Sequence, residues 1–228
     1  MTIVLISFCG ITLFYNFIAI KEIGLPTYKK GHLSDAAKMI RTNRELLDYV
    51  NKLYQNGDQR IIAQCFDPKH RIIEQNKRYA WVYIIKEGIT KCYMTDENAK
   101  EFIQEFLGEG TEFGELEVFS NNPSFCCVEA VTALSTFKIS YRNFNELIDT
   151  DKKFNRIIIS GMAAKISYKA PRHLYQHSYP IEANILKLKE VFPEFTQVIS
   201  KKDIANYIGV TPRSLNRTLH SLKERNLL

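Results

Sequence analysis

Ser200-Lys-Lys-Asp-Ile-Ala-Asn-Tyr-Ile-Gly209, continued by Val210-Thr-Pro-Arg-Ser-Leu-Asn-Arg-Thr-Leu-His220, decides how the carboxyl-terminal part of this chain folds. Ser200 is placed to cap a helix, and Asp203 three positions on has the spacing of a capping box. Ile204, Ala205 and Ile208 fall on one face of that helix, and Ala205 is small enough for a second helix to approach. Gly209 stands where a tight turn needs positive φ. Thr211 and Pro212 then restart a helix as N-cap and first helical residue. In the second helix Leu215, Leu219 and Leu222 recur at spacings of four and three and should face inward. Arg213, Asn216, Arg217 and His220 fall on the opposite side. The forked side chains of Arg and Asn match the edges of guanine and adenine in the major groove. The pattern is that of a helix-turn-helix, for which double-stranded DNA is the expected partner. The plainer reading is an ordinary helical hairpin with a basic outer face.

Charge separates the middle of the chain from its carboxyl-terminal end. Residues 200–228 carry six basic side chains against two acidic ones, enough to draw phosphate and to make affinity fall with salt. Between Lys86 and Asp151 there are five basic and thirteen acidic side chains. An acidic middle should avoid DNA while the basic end seeks it. The five cysteines, at 9, 65, 92, 126 and 127, form no CxxC pair and no zinc or iron–sulfur spacing, so no metal or cofactor is expected. An odd, scattered set is what reduced thiols in a cytosolic setting look like. Adjacent Cys126 and Cys127 would point to opposite faces of a strand, and a redox role for one cysteine stays open. Neither a Ser/His/Asp arrangement nor a phosphate-binding loop occurs, so the chain is not expected to be an enzyme.

From about Gly57 to Ile148 short β-rich runs alternate with turn residues, as an all-β roll requires. Expected strands are Arg71-Ile-Ile-Glu, Trp81-Val-Tyr-Ile-Ile-Lys, Ile89-Thr-Lys-Cys-Tyr-Met, Phe102-Ile-Gln-Glu-Phe-Leu, Cys126-Cys-Val-Glu-Ala-Val and Thr136-Phe-Lys-Ile-Ser. Asp151 to about Gln176 reads as a long helix. Phe154, Ile157, Ile158, Gly161, Ala164 and Tyr168 lie along one stripe, with small residues permitting a partner helix to approach. A core helix of a monomer would show the same stripe. Pro171 should kink or end this helix, giving a bend near Lys169-Ala170.

With these pieces in order, residues from about 60 to 228 resemble the Crp/Fnr (cyclic AMP receptor protein) family of bacterial transcription regulators. Three segments carry the resemblance beside the helix-turn-helix. Tyr83-Ile-Ile-Lys-Glu-Gly-Ile-Thr90 is similar to the family's strand-turn-strand glycine. Phe106-Leu-Gly-Glu-Gly-Thr-Glu-Phe-Gly-Glu-Leu-Glu-Val-Phe119 resembles its phosphate-binding cassette, and Ile139-Ser-Tyr-Arg-Asn-Phe-Asn-Glu-Leu-Ile148 the segment closing the roll.

The implied fold is α+β: an N-terminal cyclic-nucleotide-binding-like β-roll (a jelly roll), a long dimerisation helix, and a C-terminal helix-turn-helix lacking the family's usual wing. The resemblance implies a homodimer on a palindromic operator, with RNA polymerase as a further partner whose docking surface has no legible signature. It assigns base contacts to Arg213, Asn216 and Arg217. Ser200, Lys201, Lys202, Thr211, Ser214 and His220 are expected as phosphate contacts. An effector pocket would hold Gly114 and Glu115, which match residues facing ribose, with Phe125 and Cys126 standing where cyclic-AMP-binding members have Arg and Ser. A phosphodiester buried without a cation loses its main electrostatic partner, so cyclic AMP is not the expected effector, and none is identified. Glu115 also has a purely structural reading, as a cap or turn carboxylate.

The implied divisions are 1–38, an apolar N-terminal segment; 39–150, the effector roll; 151–178, the connecting helix; and 179–228, the DNA-binding domain. Thr2 to Ile20 is almost continuously apolar and Lys21, Lys29 and Lys30 follow, which on length is a transmembrane candidate. Three readings stand for it: upstream sequence before a true start near Met39, a membrane anchor for a tethered ligand-sensing regulator, or a buried arm. The expected location is the cytoplasm, at the membrane if the segment is a genuine anchor.

Overall fold

Strand alternation and helix periodicity build three apolar cores, one behind another. A computed structural model of the chain describes residues 39–228, and the apolar segment expected at residues 1–38 lies outside them. The elements run β1 (Ile40–Arg41), α1 (Arg44–Gln55), β2 (Ile61–Phe66), β3 (Arg71–Ile73), β4 (Trp81–Glu87), β5 (Thr90–Thr95), β6 (Glu101–Leu107), β7 (Glu112–Phe113), α2 (Glu115–Ser120), β8 (Cys127–Ala130) and β9 (Leu134–Ser140). Helices α3 (Tyr141–Thr150), α4 (Lys152–Ser178), α5 (Ile181–Val191), α6 (Phe195–Val198), α7 (Lys201–Ile208) and α8 (Pro212–Glu224) complete the chain. One sheet has the order β1-β6-β5-β8-β3 and the other β2-β9-β4-β7. All pairings are antiparallel except β1 with β6.

Successive residues of a strand point to opposite faces, so each sheet serves two cores. Tyr83 and Ile85 of β4 meet Cys92, Leu107, Cys126, Val128 and Ala130 between the sheets. Val82 and Ile84 point the other way, into a core closed by Leu46, Leu47 and Val50 of α1, Phe144 and Leu147 of α3, and Phe154, Ile157 and Ile158 of α4. On the outer face of the five-stranded sheet, Tyr93, Ile103, Phe106 and Cys127 pack with Phe195, Ile204, Tyr207 and the leucines of α8. Cys126 and Cys127 accordingly face opposite ways, as their adjacency predicts.

The stripe expected at a two-fold interface packs for the most part against the chain's own roll. Phe154, Ile157, Ile158, Gly161 and Tyr168 are buried within the chain itself, and Ala164 alone of the six is exposed. The outer face of the four-stranded sheet and the apolar face of α1 need a cover, and this side of α4 supplies it. Small Gly161 admits Asn43 and Glu112: a Cβ there would lie 3.3 Å from Asn43 Nδ2 and 3.4 Å from Glu112 Oε1. Among the residues of α4 whose burial is described, Ile159, 55 % exposed, and Ile166, 73 % exposed, are the large apolar side chains left outside, with Ala163 between them. Helix α4 also continues through Pro171 as far as Ser178, since a proline removes one N–H from a ladder of 27 residues and the turns on either side carry it across. Pro180, extended at φ −59° and ψ 155°, separates α4 from α5.

Candidate functional site

The helix-turn-helix forms as its residues dictate. Ser200 Oγ accepts from the backbone N–H of Asp203, and its own hydroxyl donates to Asp203 Oδ2 at 2.8 Å. Gly209 ends α7 with φ +74°, a left-handed conformation that a side chain would strain. Thr211 Oγ1 accepts from the N–H of Ser214 and Pro212 opens α8. Leu215, Leu219 and Leu222 are buried, and each contributes on the order of 2 kcal/mol by leaving water. Arg213, Asn216, Arg217 and His220 are exposed along the opposite side. The three side chains expected to read bases therefore share one free face.

The residues expected on phosphate have local occupations as well. The hydroxyls of Ser200 and Thr211 are caps, and Thr211 also hydrogen-bonds Ser214 Oγ at 3.0 Å. His220 Nε2 lies 3.2 Å from Glu224. Lys201 is exposed, whereas Lys202 Nζ lies 2.9 Å from Glu101 on β6. Glu101 also accepts from Asn206. Next to these, Lys91 of β5 is buried with its Nζ 2.9 Å from Asp203 and 3.2 Å from Glu129. Burial works to lower its pKa, but Asp203 and Glu129 more than offset this and hold it above the ordinary lysine value. Tyr168 of α4 and Tyr207 of α7 join hydroxyls at 2.9 Å. Helix α7 is thus seated on the roll by the buried Lys91–Asp203 pair, the exposed Lys202–Glu101 pair, the Asn206–Glu101 hydrogen bond and the contact of Tyr207 with Phe106, whose ring centroids are 5.2 Å apart.

The expected effector pocket is less open. Gly114 has φ +90°, and a Cβ there would stand 2.6 Å from the carbonyl oxygen of Trp81, so only glycine lets the cassette turn against β4. Glu115 follows at 1 % exposure, and the Nζ of Lys165 on α4 is hydrogen-bonded to its carboxylate. The same ammonium lies 2.9 Å from Glu112 Oε1 and donates to the Glu112 carbonyl at 3.1 Å. Burial pushes the Glu115 carboxyl above its ordinary value, against the pull of Lys165. Lys165 is itself held above the usual lysine range, because Glu112 and Glu115 outweigh the burial that would lower it. Glu112 Oε2 and Glu115 Oε2 are buried without a hydrogen-bond donor. The acceptor expected to face a ligand is therefore occupied by the chain's own ammonium. A second buried set lies alongside: Arg41 Nε is 3.2 Å and Lys169 Nζ 3.1 Å from the two oxygens of Glu105.

Phe125 and Cys126 part company. Phe125 is exposed and lines an outer groove of about 500 Å³ with Leu116, Phe119 and Pro123, while Cys126 turns inward to Cys92. Sequence reasoning overlooks Lys165, Arg41 and Lys91. A signal exists for the first: position 165 falls on the same stripe as Ile158, Gly161 and Tyr168, where a lysine is out of place unless a carboxylate meets it.

Comparison with known proteins bears on both halves. Residues 63–151 match the model of the cyclic nucleotide-binding domain, and residues 181–228 that of the Crp-like helix-turn-helix domain. The chain belongs to the Crp/Fnr family. It is 25 % identical over 174 residues to the cAMP-activated global transcriptional regulator CRP of Salmonella typhimurium, covering 72 % of this chain and 83 % of that one. It is 24 % identical over 188 residues to the cAMP-activated global transcriptional regulator Vfr of Pseudomonas aeruginosa, covering 74 % and 87 %. In fold it is similar to the c-di-GMP responsive global regulator CLP of Xanthomonas campestris, with a TM-score of 0.68 at 11 % identity, covering 77 % and 93 %. FixK2 of Bradyrhizobium japonicum gives 0.63 at 16 % identity, covering 73 % and 86 %. As a family member this chain is a Crp/Fnr-type transcription regulator with a helix-turn-helix. Among the described residues no helix is long and apolar enough to cross a membrane, and no cluster of metal-ligating side chains occurs.

Proposed function

We propose that this regulator binds double-stranded DNA in the cytoplasm by placing α8 in the major groove, with Arg213, Asn216 and Arg217 reading base edges, and that cyclic AMP is not its effector. One observation carries the DNA reading: these three side chains stand free on one face while the leucines between them fill the core. Lys201 and Lys202 then contact phosphate, which positions the helix without specifying sequence. Lys202 would exchange Glu101 for a phosphate oxygen.

The effector reading is supported by charge. Phe125 and Cys126 offer no cation to a cyclic phosphate, and Lys165 already holds Glu115. A second copy would pack along Ile159, Ala163 and Ile166, the apolar face of α4 that this chain leaves uncovered, and two such copies would present two recognition helices to a palindromic site. RNA polymerase would be met by another surface, and no catalytic role is assigned.

The test is selection from a random DNA pool with the full chain at two salt concentrations, with and without cyclic AMP. A palindromic sequence should emerge whose affinity falls with salt and ignores the nucleotide. Recovery of no sequence preference would refute base reading, and tighter binding with cyclic AMP would refute the effector reading.

A further inference from the structure

Cys92 lies on β5 opposite Val128 of β8. Cys126 comes two residues before Val128, so it is the diagonal neighbour of Cys92 on the same face of an antiparallel pair. Both side chains enter the core between the sheets and both are buried. Their sulfurs are 3.0 Å apart, with the Cys92 S–H donating to Cys126 Sγ. Cys127 points to the other face and accepts from the N–H of Gln75, and Cys65 is exposed on β2. Two of the cysteines are therefore brought together from positions 34 residues apart, in the part of the roll where the family's effector pocket is expected.

A disulfide has its sulfurs about 2.0 Å apart, so the pair is about 1 Å short of bonding distance and already shares a face. The hydrogen bond to Cys126 and burial hold the Cys92 thiol well above its ordinary pKa. Cys92 thus keeps its proton and Cys126, the acceptor sulfur, is the side from which attack starts.

We infer that Cys92 and Cys126 form a dithiol site that a hydroperoxide as small as hydrogen peroxide oxidises to an internal disulfide, and that closing it weakens DNA binding. In the first step the Cys126 sulfur attacks one peroxide oxygen, the O–O bond breaks, and Cys126 becomes a sulfenic acid as hydroxide leaves and takes up the thiol proton. In the second, the Cys92 sulfur attacks the sulfenic sulfur, the S–S bond forms and water departs with the Cys92 proton. Two thiols and one hydrogen peroxide give one disulfide and two waters, so both electrons lost by sulfur reduce the peroxide.

The link to DNA follows from the thickness of one sheet. The strands that carry the cysteines inward carry Lys91 and Glu129 outward, and these hold α7 through Asp203. Tyr93, beside Cys92, donates to Glu129 as well. Drawing β5 and β8 together by a fraction of an ångström to an ångström displaces the seat of α7, because packed interiors transmit such shifts. This second part rests on the DNA reading above; the chemistry of the pair does not.

The full chain is titrated with hydrogen peroxide, alkylated and mapped by peptide mass. A cross-linked peptide joining Cys92 to Cys126, lighter by two hydrogens and reversed by a dithiol reductant, is expected. Cys65→Ser should leave the link intact, and Cys92→Ala and Cys126→Ala should each abolish it. Links through Cys9, Cys65 or Cys127, or oxidation with no internal link, would overturn the site. Affinity for the selected DNA is then compared before and after oxidation. A loss of about fivefold or more is expected, absent in Cys92→Ala, at the low end of ordinary coupling energies. Unchanged or tighter binding with the disulfide formed would overturn the coupling. A reduced chain that binds no DNA would instead defeat the DNA reading, while the peptide map would still decide the site.

Discussion

The two halves of this molecule treat their polar side chains in opposite ways. On α8, Arg213, Asn216 and Arg217 are exposed to water along one face. In the roll, Glu112, Glu115 and Lys165 face one another in the interior, and each is tolerable only because of the others. The contrast separates a surface that can exchange water for a ligand at little cost from a pocket whose two carboxylates already share one internal cation. A ligand seeking Glu115 must compete with a covalently tethered ammonium. A phosphate seeking Arg217 competes only with water and counterions. The same chain can therefore keep one face of α8 open while the carboxylates of the expected effector pocket are closed by its own lysine.

The largest effect that would break this contrast lies in the pocket. Lys165→Met leaves two buried carboxylates without their cation and should cost about 3–5 kcal/mol of stability, as removal of one partner from a buried ion pair does. Urea unfolding measures it. Adding Glu112→Gln and Glu115→Gln to Lys165→Met removes the stranded charges and should restore most of the loss. If the single variant were as stable as the parent, the pocket would not be the matched cluster described here. The pH dependence has a definite sign. Lys165 is raised above the ordinary lysine value of 10.5, so its stabilisation is complete below that value and is lost as pH rises through the higher folded-state value. The triple variant should lack this alkaline loss.

On the open side, effects fall on binding and leave folding alone. Arg217→Ala should weaken the selected operator by about 1–3 kcal/mol and relax preference at one base pair, with unfolding unchanged. Fluorescence anisotropy against a panel of single-base operator variants measures it. Equal weakening on every sequence would move Arg217 from base reading to phosphate contact. Lys202→Ala should weaken all sequences alike and reduce the salt slope by about one.

What the sequence discloses follows the same division. Caps, the glycine turn and the leucine spacing of α7 and α8 are local, so residues 200–224 can be read from their own order. Six strands of the roll are visible because their apolar runs are bounded by turn residues. Ile61–Phe66 is passed over, since its burial mixes buried, half-buried and exposed positions without clean alternation. Helix α1 goes unread although Asn43 caps it by accepting from Leu46, because the eye is drawn to the apolar run before it. The stripe on α4 is correctly seen as buried-type, but periodicity gives a face without saying what covers it, and the cover is the chain's own roll. The pocket is illegible for a stronger reason. Lys165 meets Glu112 and Glu115 from 53 and 50 residues away, and only the packing of α4 across the roll brings them together.

The smallest expected effect sharpens the contrast most, because it holds distance constant. Lys202 Nζ lies 2.9 Å from Glu101 Oε1, the same separation as Lys165 Nζ from Glu112 Oε1. The lysine of the first pair is 64 % exposed and its carboxylate 20 %, against 11 % and 0 % for the second. Water screens the exposed pair and two long side chains lose freedom in making it, so such a bridge contributes at most about 1 kcal/mol. Glu101→Gln should therefore shift the urea midpoint barely, and less still at high salt, where Lys165→Met should keep its full cost. Because Lys202 is also the residue expected on phosphate, Glu101→Gln should tighten DNA binding slightly by removing a competing carboxylate and a nearby negative charge. A stability loss from Glu101→Gln as large as that from Lys165→Met would mean that α7 depends on its exposed ion pair as heavily as the pocket depends on its buried one, and the division between an open reading head and a self-matched interior would no longer hold.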